Sequence, residues 1–354
     1  MIDILPIRTQ TTTASRLSQV NLSQLEFGKV FADHMFVVDF VNGEWQEPQI
    51  VPYGDMAVSP ANSALHYGQA IFEGMKAYHQ ADGGVALFRP LDNWARLNAS
   101  AERMCMPTIP EELFMQGLRE LIKLDAAWVP TEPGSALYIR PFMFGTDGLL
   151  GVRPSDTYRF MIITCPVGLY FSKPLRVRFE QKYVRSAEGG AGYAKNAGNY
   201  GAAMYPTKVA QNEGYNQLIW TDASQHQYVE ESGTMNAIFV MDGKVVTPAL
   251  STSILDGITR RSVLELARDM GMTVEERKVG SREVMDALAA GKLQEAFGVG
   301  TAATIAPIAT IGYEGHDYDL PATDSNAFSK RVAAALDAIR TGEGADVHNW
   351  MVRV

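Results

Sequence analysis

The chain has 354 residues, of which 46% are apolar and 20% are charged, a balance typical of folded globular proteins and not of disordered or fibrous ones. Its net charge of -9 argues against a general affinity for nucleic acids or anionic membranes, because both require clustered positive charge. The two cysteines, Cys105 and Cys165, are not at metal-ligand spacing, and neither an export signal nor a membrane-spanning segment is predicted. We therefore expect a protein of the reducing cytoplasm that binds no metal, nucleic acid or membrane.

The length of the chain favours two domains, since a domain commonly has about 150 residues. Residues 1–30 are polar and aperiodic and are predicted to form an N-terminal arm. The glycine and proline of "VGLYFSKP" follow a long apolar run, which is typical of a loop between domains. We therefore predict an N-terminal domain over residues 31–166, an interdomain loop over 167–175 and a C-terminal domain over 176–354.

Hydrophobic periodicity predicts the elements in chain order. Two strands joined at Asn42-Gly43 come first, followed by strands around a Gly83-Gly84 turn. A helix is predicted to begin at Pro90, with one apolar face formed by Leu91, Trp94, Leu97 and Ala101. Further helices, with strands between them, are predicted at residues 111–128, 202–212, 259–270, 281–290 and 324–340. Strands and helices thus occur in clusters, which favours an α+β fold over a doubly wound sheet.

One lysine, Lys195, lies in a segment rich in glycine, "AGYAKNAGNYGAA", residues 191–203. Most loop lysines are solvated charges, but these glycines allow the backbone to pass close to a bulky group or to adopt positive φ. A lysine buried by neighbouring core strands has a lowered pKa, and its neutral amine is a Schiff-base nucleophile. Tyr200 adds a phenol shortly after it. The segment is therefore a candidate catalytic site.

A second candidate segment covers residues 228–267. Glu231 lies in a turn between two apolar strands, where a partly buried carboxylate needs a positive partner, either an arginine of the protein or a bound cation. Further on, Gly257, Ile258 and Thr259 begin a predicted helix. A helix start presents N–H groups and here a hydroxyl, so it is suited to bind an anion.

Two further residues are candidates for ligand contacts. Thr301 lies in "EAFGVGTAATIAP", where glycines between apolar runs allow a close approach, although an ordinary strand bend has the same pattern. Arg96 lies on the helix that begins at Pro90, where a solvated surface charge is the simpler interpretation. The sequence contains no phosphate-binding loop, nucleophile elbow or zinc-protease motif.

Seven motifs, taken in order, resemble the fold type IV pyridoxal-phosphate enzymes, and among these the branched-chain-amino-acid aminotransferase family. They are "ALHYGQAIFEGMKAY" (64–78), "LFRPLDNWARL" (87–97), "LYIRP" (137–141), "KNAGNYGA" (195–202), "EESGTMN" (230–236), "SILDGITRRSV" (253–263) and "GVGTAA" (298–303). The resemblance implies a two-domain α+β fold. Its smaller N-terminal domain would be α/β, and its larger C-terminal domain would have a mixed sheet with a barrel-like core.

The resemblance also implies pyridoxal 5'-phosphate as the cofactor. Lys195 would form the Schiff base and move a proton at the substrate α-carbon, and Glu231 would pair with the pyridine nitrogen. Tyr200 would lie near the ring oxygen, and Leu255 would pack on the ring. The phosphate would be bound by Arg96, Gly257, Ile258, Thr259 and Thr301.

For the substrate, the resemblance implies one pocket for apolar and acidic side chains. Thr234 and four aromatic residues would line it: Tyr67, Phe72, Tyr138 and Tyr170. Thr301 and Ala302 would receive the α-carboxylate, and Arg140 would accept the distal carboxylate of glutamate. The implied activity is reversible transfer of the amino group of leucine, isoleucine or valine to 2-oxoglutarate by a homodimer. The order of preference among the three donors is not predicted.

Three alternatives stay open at the level of sequence. D-amino-acid transaminases and aminodeoxychorismate lyases share the fold, although the "LYIRP" segment and the long N-terminal region argue against them. A cofactor-free Schiff-base aldolase would also use Lys195, but it would require a (β/α) barrel. A silent metabolite-binding relative is disfavoured, because Lys195, Glu231 and Arg96 are all present.

Overall fold

The structure is a computed structural model that describes residues 6–22, 24–168 and 173–354. Up to residue 168 the strands and helices are β1 Arg8–Thr9, β2 His34–Val41, β3 Glu44–Trp45, β4 Gln49–Pro52, α1 Ser63–Tyr67, β5 Ala70–Phe72, β6 Met75–His79, β7 Val85–Phe88, α2 Pro90–Arg103, α3 Glu111–Leu124, β8 Ala136–Gly145 and β9 Tyr158–Val167.

From residue 173 onwards the strands and helices are β10 Leu175–Phe179, α4 Ala197–Asn212, β11 Gln217–Thr221, β12 Val229–Ser232, β13 Met235–Met241, β14 Lys244–Pro248, α5 Ile258–Asp269, β15 Val274–Arg277, α6 Ser281–Ala289, β16 Leu293–Gly300, β17 Thr304–Tyr313, β18 His316–Asp319, α7 Phe328–Thr341 and β19 Met351–Arg353.

The chain forms two compact units. The first contains the described residues up to 168 together with Ala194–Ala197 and Ala338–Val354, and the second contains residues 173–193 together with Gly198–Asp337. The end of the chain belongs to the first unit because β19 pairs antiparallel with β7, with Met351 opposite Phe88. The domain prediction had assigned both Ala194–Ala197 and Ala338–Val354 to the C-terminal domain, since no local pattern indicates such long-range pairings. The predicted domain bounds otherwise stay a prediction.

The first unit is built on one sheet with the strand order β1-β4-β2-β9-β8-β6-β7-β19; β3 pairs with β2, and β5 pairs with β8. Side chains of β2 alternate between its two faces, as strand geometry requires. Phe36 and Val38 join the main core with Phe114 of α3, whereas Met35 and Val37 pack on the opposite face. Each large apolar side chain buried in this way stabilises the fold by roughly 1.5–3 kcal/mol.

The second unit contains a closed barrel of six strands, in the order β10-β11-β12-β13-β16-β17. Pairing of β12 with β13 and of β17 with β10 closes the ring. The four pairs that do not involve β10 are antiparallel. The α+β class and the barrel-like core are therefore confirmed. The all-parallel (β/α) barrel that an aldolase would require does not fit this topology.

The predicted helices agree with the structure except in detail. The apolar face of α5 is confirmed, because Val263, Leu264 and Ala267 are buried. Leu91 is 44% exposed, so its assignment to the buried face of α2 was wrong. The buried face of α2 instead includes Asn93, whose side chain donates to a buried carboxylate. None of the helices formed by the described residues is long and apolar enough to cross a membrane.

Gly117 of α3 packs closely against the main core of the first unit, and a substitution there tests this packing. A Cβ on Gly117 would lie 2.9 Å from two ring atoms of Phe36, which is fully buried. We expect Gly117→Ala to destabilise the protein by about 1–2 kcal/mol, because overpacking outweighs the gain in helix propensity. Gly201 of α4 has open space around it, so Gly201→Ala is the matched control and is expected to stabilise by about 0.5–1 kcal/mol. Thermal unfolding of both variants measures this; an unchanged or higher melting temperature for Gly117→Ala would contradict the Phe36 packing.

Candidate active site

Two hydrogen bonds of its own backbone hold Lys195 in place within the first unit. Its N–H donates to Ser100 Oγ on α2 over 2.9 Å, and its carbonyl accepts from the N–H of Phe72 over 3.0 Å. The next residue, Asn196, forms a β-bridge with Ile71 of β5. Because both α2 and β5 belong to the folded core, the direction in which the lysine side chain leaves the backbone is fixed.

The Lys195 side chain lies close to an aromatic ring, that of Phe72, which also contacts the cationic side chain of Arg140. Its Nζ is 4.7 Å from the ring centre of Phe72, and the guanidinium carbon of Arg140 is 4.6 Å from the same ring. Tyr138 and Arg140 are two residues apart on β8 and therefore share a face of the sheet. Arg140 Nη2 donates to the Tyr138 hydroxyl over 2.9 Å. The structure thus brings Lys195, Phe72, Tyr138 and Arg140 together.

Phe27 joins this group through a contact that sequence reasoning missed. Its ring meets that of Tyr138 edge to face, with the ring centres 4.9 Å apart. The sequence analysis had assigned Phe27 to a polar N-terminal arm and had not included it among the candidate site residues. The signal that could have identified it is a large aromatic residue inside an otherwise polar segment.

Arg96 is paired with Glu73 in the first unit, with 9% of its side chain exposed, and is not a solvated surface charge. Its Nε donates to Glu73 Oε1 over 2.7 Å and its Nη2 to Oε2 over 2.9 Å, which forms a bidentate pair. Asn93 also donates to Glu73, over 2.7 Å. Burial raises the pKa of Glu73, but the charge and hydrogen bonds of Arg96, together with the charge of Lys195, outweigh burial and lower it overall. Glu73 is therefore ionised at neutral pH and fixes the Arg96 guanidinium.

The other three predicted aromatic residues are Tyr67, Tyr170 and Tyr200. Tyr67 ends α1, is 42% exposed and lies beside His66. Tyr170 lies outside the described residues. Tyr200 is half-buried on α4, in the second unit. The roles predicted for these three residues stay predictions.

In the second unit, the predicted site residues converge at one end of the barrel. A turn that contains Thr234 joins β12 to β13, and the turn at residues 301–303 joins β16 to β17. Both turns lie at the same end, because β13 and β16 are antiparallel with Asn236 opposite Val299. Asn236 Nδ2 donates to the carbonyl of Leu255 over 2.8 Å and binds the loop before α5 to this end. The residues brought together are Glu231, Thr234, Leu255, Gly257, Ile258, Thr259, Thr301 and Ala302.

Glu231 has its positive partner within the protein. The residue is buried, and its Oε1 accepts from Arg185 Nη2 over 3.1 Å and from the N–H of Leu255 over 2.7 Å. Arg185 Nη2 also donates to the carbonyls of Gly192 and Ser253. The requirement for a cation, which the sequence left open between an arginine and a ligand, is thus met by Arg185. The sequence analysis did not identify Arg185, because a long-range ion pair leaves no local pattern.

The N-terminus of α5 is suited to bind an anion. Gly257 is the N-cap residue, and no side chain of the described residues caps the first N–H groups of this 12-residue helix. Thr259 is buried in the first turn. A Cβ on Gly257 would lie 1.9 Å from Asn236 Oδ1, so glycine is required for this close approach to β13. An uncapped helix start carries partial positive charge and N–H donors, which favour a phosphate or carboxylate.

One glycine before Lys195, Gly192, allows two protein segments to pack closely. A Cβ on Gly192 would lie 2.4 Å from Ser186 Oγ and 2.5 Å from the carbonyl of Ser253. The N–H of Tyr193 donates to the carbonyl of Thr252 over 3.1 Å. At Gly192, therefore, the bulky neighbour that the glycine accommodates is the loop before α5.

The chemistry of these groups fits the cofactor that the resemblance implies. The first unit supplies a primary amine on a fixed backbone, next to aromatic and cationic side chains. The second unit supplies a buried carboxylate and an uncapped helix start. The amine is complementary to an aldehyde, with which it forms a Schiff base. The carboxylate is complementary to a basic ring nitrogen, and the helix start to a phosphate.

Comparisons with known proteins agree with this chemistry. A family model described as amino-transferase class IV matches residues 70–311. Branched-chain-amino-acid transaminase 1 of Bacillus subtilis is 45% identical over 337 residues, which cover 94% of this chain and 95% of that protein. The chain belongs to the class IV aminotransferase family.

Solved structures show the same fold. The branched-chain amino acid aminotransferase from Escherichia coli is 27% identical, with a TM-score of 0.73 over 90% of this chain and 98% of that chain. The branched-chain aminotransferase from the thermophilic archaeon Thermoproteus uzoniensis, solved with norvaline, is 26% identical, with a TM-score of 0.74 over 89% of this chain and 98% of that chain. The fold type IV architecture is thereby confirmed.

Because Arg185 and Glu231 form a buried ion pair, we expect the effects of substituting them on the free energy of unfolding to be strongly coupled. Arg185→Met leaves Glu231 buried without a cation, and we expect it to lower the free energy of unfolding by about 3 kcal/mol or more. Adding Glu231→Gln to this variant removes the unpaired charge and should restore a large part of the loss. Denaturant unfolding of the wild type, both single variants and the double variant measures the coupling free energy. Additive effects of the two substitutions would contradict the pair.

Proposed function

We propose that this protein is a branched-chain amino acid aminotransferase that uses pyridoxal 5'-phosphate. It transfers the amino group of leucine, isoleucine or valine to 2-oxoglutarate and forms glutamate, in a reversible reaction. We base this on one observation in particular: an anchored lysine amine lies beside Phe72, which also stacks with Arg140. An amine for covalent catalysis is thus combined with a surface that accepts an apolar side chain and a cation that accepts a carboxylate. Membership of the class IV aminotransferase family supports the proposal.

Lys195 is the catalytic residue of the proposed reaction. Its Nζ would hold the cofactor covalently and, once the substrate amine has displaced it, would move the proton at the α-carbon of the amino acid. The anchors at Ser100 and Phe72 fix its backbone, so the amine can act repeatedly from one position. When bound, the cofactor supplies a conjugated pyridine ring that accepts the electrons released at the α-carbon.

The second unit would bind and polarise the cofactor. Glu231, oriented by Arg185 and by the N–H of Leu255, would keep a proton on the pyridine nitrogen. The start of α5, from Gly257 to Thr259, and Thr301 would donate hydrogen bonds to the phosphate. The remaining cofactor contacts proposed are those of Arg96, Tyr200 and Leu255.

Arg140 would determine which acidic substrate is accepted. Its guanidinium lies between the Phe72 and Tyr138 rings, and its Nε has no acceptor among the described residues. A buried guanidinium N–H without an acceptor fits a site that receives the distal carboxylate of glutamate or 2-oxoglutarate. The surrounding aromatic rings, with Thr234, Tyr67 and Tyr170, would contact the branched apolar side chain, and Thr301 and Ala302 would receive the α-carboxylate.

We also propose that the protein acts as a homodimer in the cytoplasm, as the sequence resemblance implies. Its proposed partners are limited to small molecules: the three branched-chain amino acids, their 2-oxo acids, 2-oxoglutarate and glutamate.

The essential role of Lys195 is tested by substitution. We expect Lys195→Ala to abolish transamination between leucine and 2-oxoglutarate and to abolish the visible absorbance shift that leucine causes in the purified wild type. Lys208→Ala, which removes an exposed lysine of α4, is the matched control and should keep both. Transamination by Lys195→Ala at the wild-type rate would overturn the assignment.

The role of Arg140 is tested by comparing two substrates. Loss of a charged hydrogen bond costs about 1.5–3 kcal/mol, so Arg140→Met should lower kcat/KM for 2-oxoglutarate by roughly 10- to 100-fold. We expect a much smaller loss for the half-reaction with leucine, which has no distal carboxylate. Arg119→Met, at an exposed position of α3, is the control. Equal losses for both substrates would show that Arg140 does not select the carboxylate.

A further inference from the structure

Two adjacent glutamates, Glu230 and Glu231, lie at a β-bulge in the barrel. Between β11 and β12, Ile219 is opposite Ser232 and Thr221 is opposite Val229, so β12 has one residue more than β11 in this interval. In a regular strand, adjacent side chains point to opposite faces. A bulge breaks this alternation and turns a side chain in a new direction.

Both carboxyl groups consequently contact the loop before α5. Glu230 Oε1 accepts from the Ser253 hydroxyl over 2.5 Å, and Glu231 Oε1 accepts from the N–H of Leu255 over 2.7 Å. Both residues are more than nine-tenths buried, with 7% and 3% of their surface exposed. The fold therefore places two carboxyl groups side by side in an environment that is largely closed to water.

The hydrogen-bond donors are divided unequally between the two carboxyl groups. Glu231 accepts from the Arg185 guanidinium and from a backbone N–H, whereas Glu230 accepts from the neutral Ser253 hydroxyl. The second oxygen of Glu230, Oε2, is buried without a hydrogen-bond partner among the described residues. A buried carboxylate needs donors on both oxygens, so this environment favours the neutral form of Glu230 and the ionised form of Glu231.

Electrostatics acts in the same direction. Burial raises the pKa of Glu230 to about 7, and the negative charges of Glu231 and Asp222 contribute to the increase. The Ser253 hydrogen bond and the charge of Arg185 oppose it. The Asp222 carboxylate, for its part, accepts from the backbone N–H groups of Gln225 and Tyr228. Two neighbouring buried carboxyl groups with one guanidinium nearby are not both ionised easily.

We propose that Glu230 is a positioning residue whose neutral carboxyl leaves Arg185 and the negative charge to Glu231. Insofar as Glu231 faces the cofactor nitrogen, the proposal rests on the proposed function. As pH rises and Glu230 ionises, the pair of glutamates gains a negative charge. A proton on the cofactor nitrogen that faces Glu231 would then be held more tightly. Glu230 thereby makes the charge at the cofactor ring depend on pH around neutrality.

The first experiment measures the full-length protein without cofactor. Because the folded pKa of Glu230 lies above its ordinary value of 4.5, the folded state holds this proton more tightly than the unfolded chain. The stabilisation is complete below pH 4.5 and is lost as pH rises through about 7. We expect the melting temperature of the wild type to fall over this range relative to that of Glu230→Gln, which keeps a neutral side chain of the same shape. Glu188→Gln, at an exposed position, is the control and should follow the wild type.

A second variant leaves Glu230 in place, so it is not affected by any loss of packing that a substitution at position 230 causes. Ser253→Ala removes the hydroxyl that favours ionised Glu230, so the pH midpoint of the stability loss should move upward, by about one unit. The backbone carbonyl that Arg185 contacts is unchanged in this variant. A wild-type pH profile in Glu230→Gln, or an unchanged midpoint in Ser253→Ala, would overturn the proposal.

The second experiment measures the visible absorbance of the protein with bound pyridoxal 5'-phosphate as a function of pH. We expect a transition near neutrality in the wild type that is absent in Glu230→Gln and displaced upward in Ser253→Ala. An identical titration in Glu230→Gln and wild type would contradict the link to the cofactor. A wild-type protein that binds no cofactor, but keeps the pH-dependent stability, would refute the proposed function and leave the carboxyl pair established.

Discussion

The buried guanidinium of Arg185 holds together three segments of the second unit. Its Nη2 donates to Glu231 on β12, to the carbonyl of Gly192 before the lysine, and to the carbonyl of Ser253 before α5. A buried charge costs several kcal/mol unless it is paired and hydrogen-bonded, so the acceptors of all three segments help to offset the cost of burying this guanidinium. The orientation of Glu231 and the course of the chain toward Lys195 therefore depend on the same ion pair.

A buried ion pair also organises the first unit, but there the central group is a carboxylate instead of a guanidinium. There the fully buried group is a carboxylate, Glu73, which accepts from Arg96 and Asn93 of α2. One turn further along α2, the Ser100 hydroxyl donates to the carbonyl of Arg96 and accepts from the N–H of Lys195. The ion pair thus sets the position of α2 relative to β5 and β6, and α2 in turn fixes the backbone of the candidate nucleophile. Electrostatic pairing and backbone anchoring together keep a flexible lysine at a defined place.

The sequence predicted the features that have local causes. The α5 face follows from its 3.6-residue period, and the burial of Glu231 follows from its position between apolar strands. Features that depend on distant partners could not be predicted in this way. The partner of Glu231 is 46 positions away along the chain, β19 returns to β7, and Phe27 reaches Tyr138 from an otherwise polar segment. Strand alternation would even have placed Glu230 and Glu231 on opposite faces, because a bulge depends on the register with β11.

These pairings also explain how an acidic chain can provide a site for anions. The net charge of -9 would repel a phosphate if it acted uniformly over the protein. Glu73 and Glu231, however, are each buried against an arginine, and the raised pKa of Glu230 keeps its carboxyl largely neutral below pH 7. Since paired and protonated carboxyl groups contribute little net field, the uncapped N–H groups at the start of α5 can still attract an anion. The carboxylate next to this helix start, Asp256, is itself paired with Arg261. A short-range dipole can therefore favour an anion at this position although the chain as a whole is acidic.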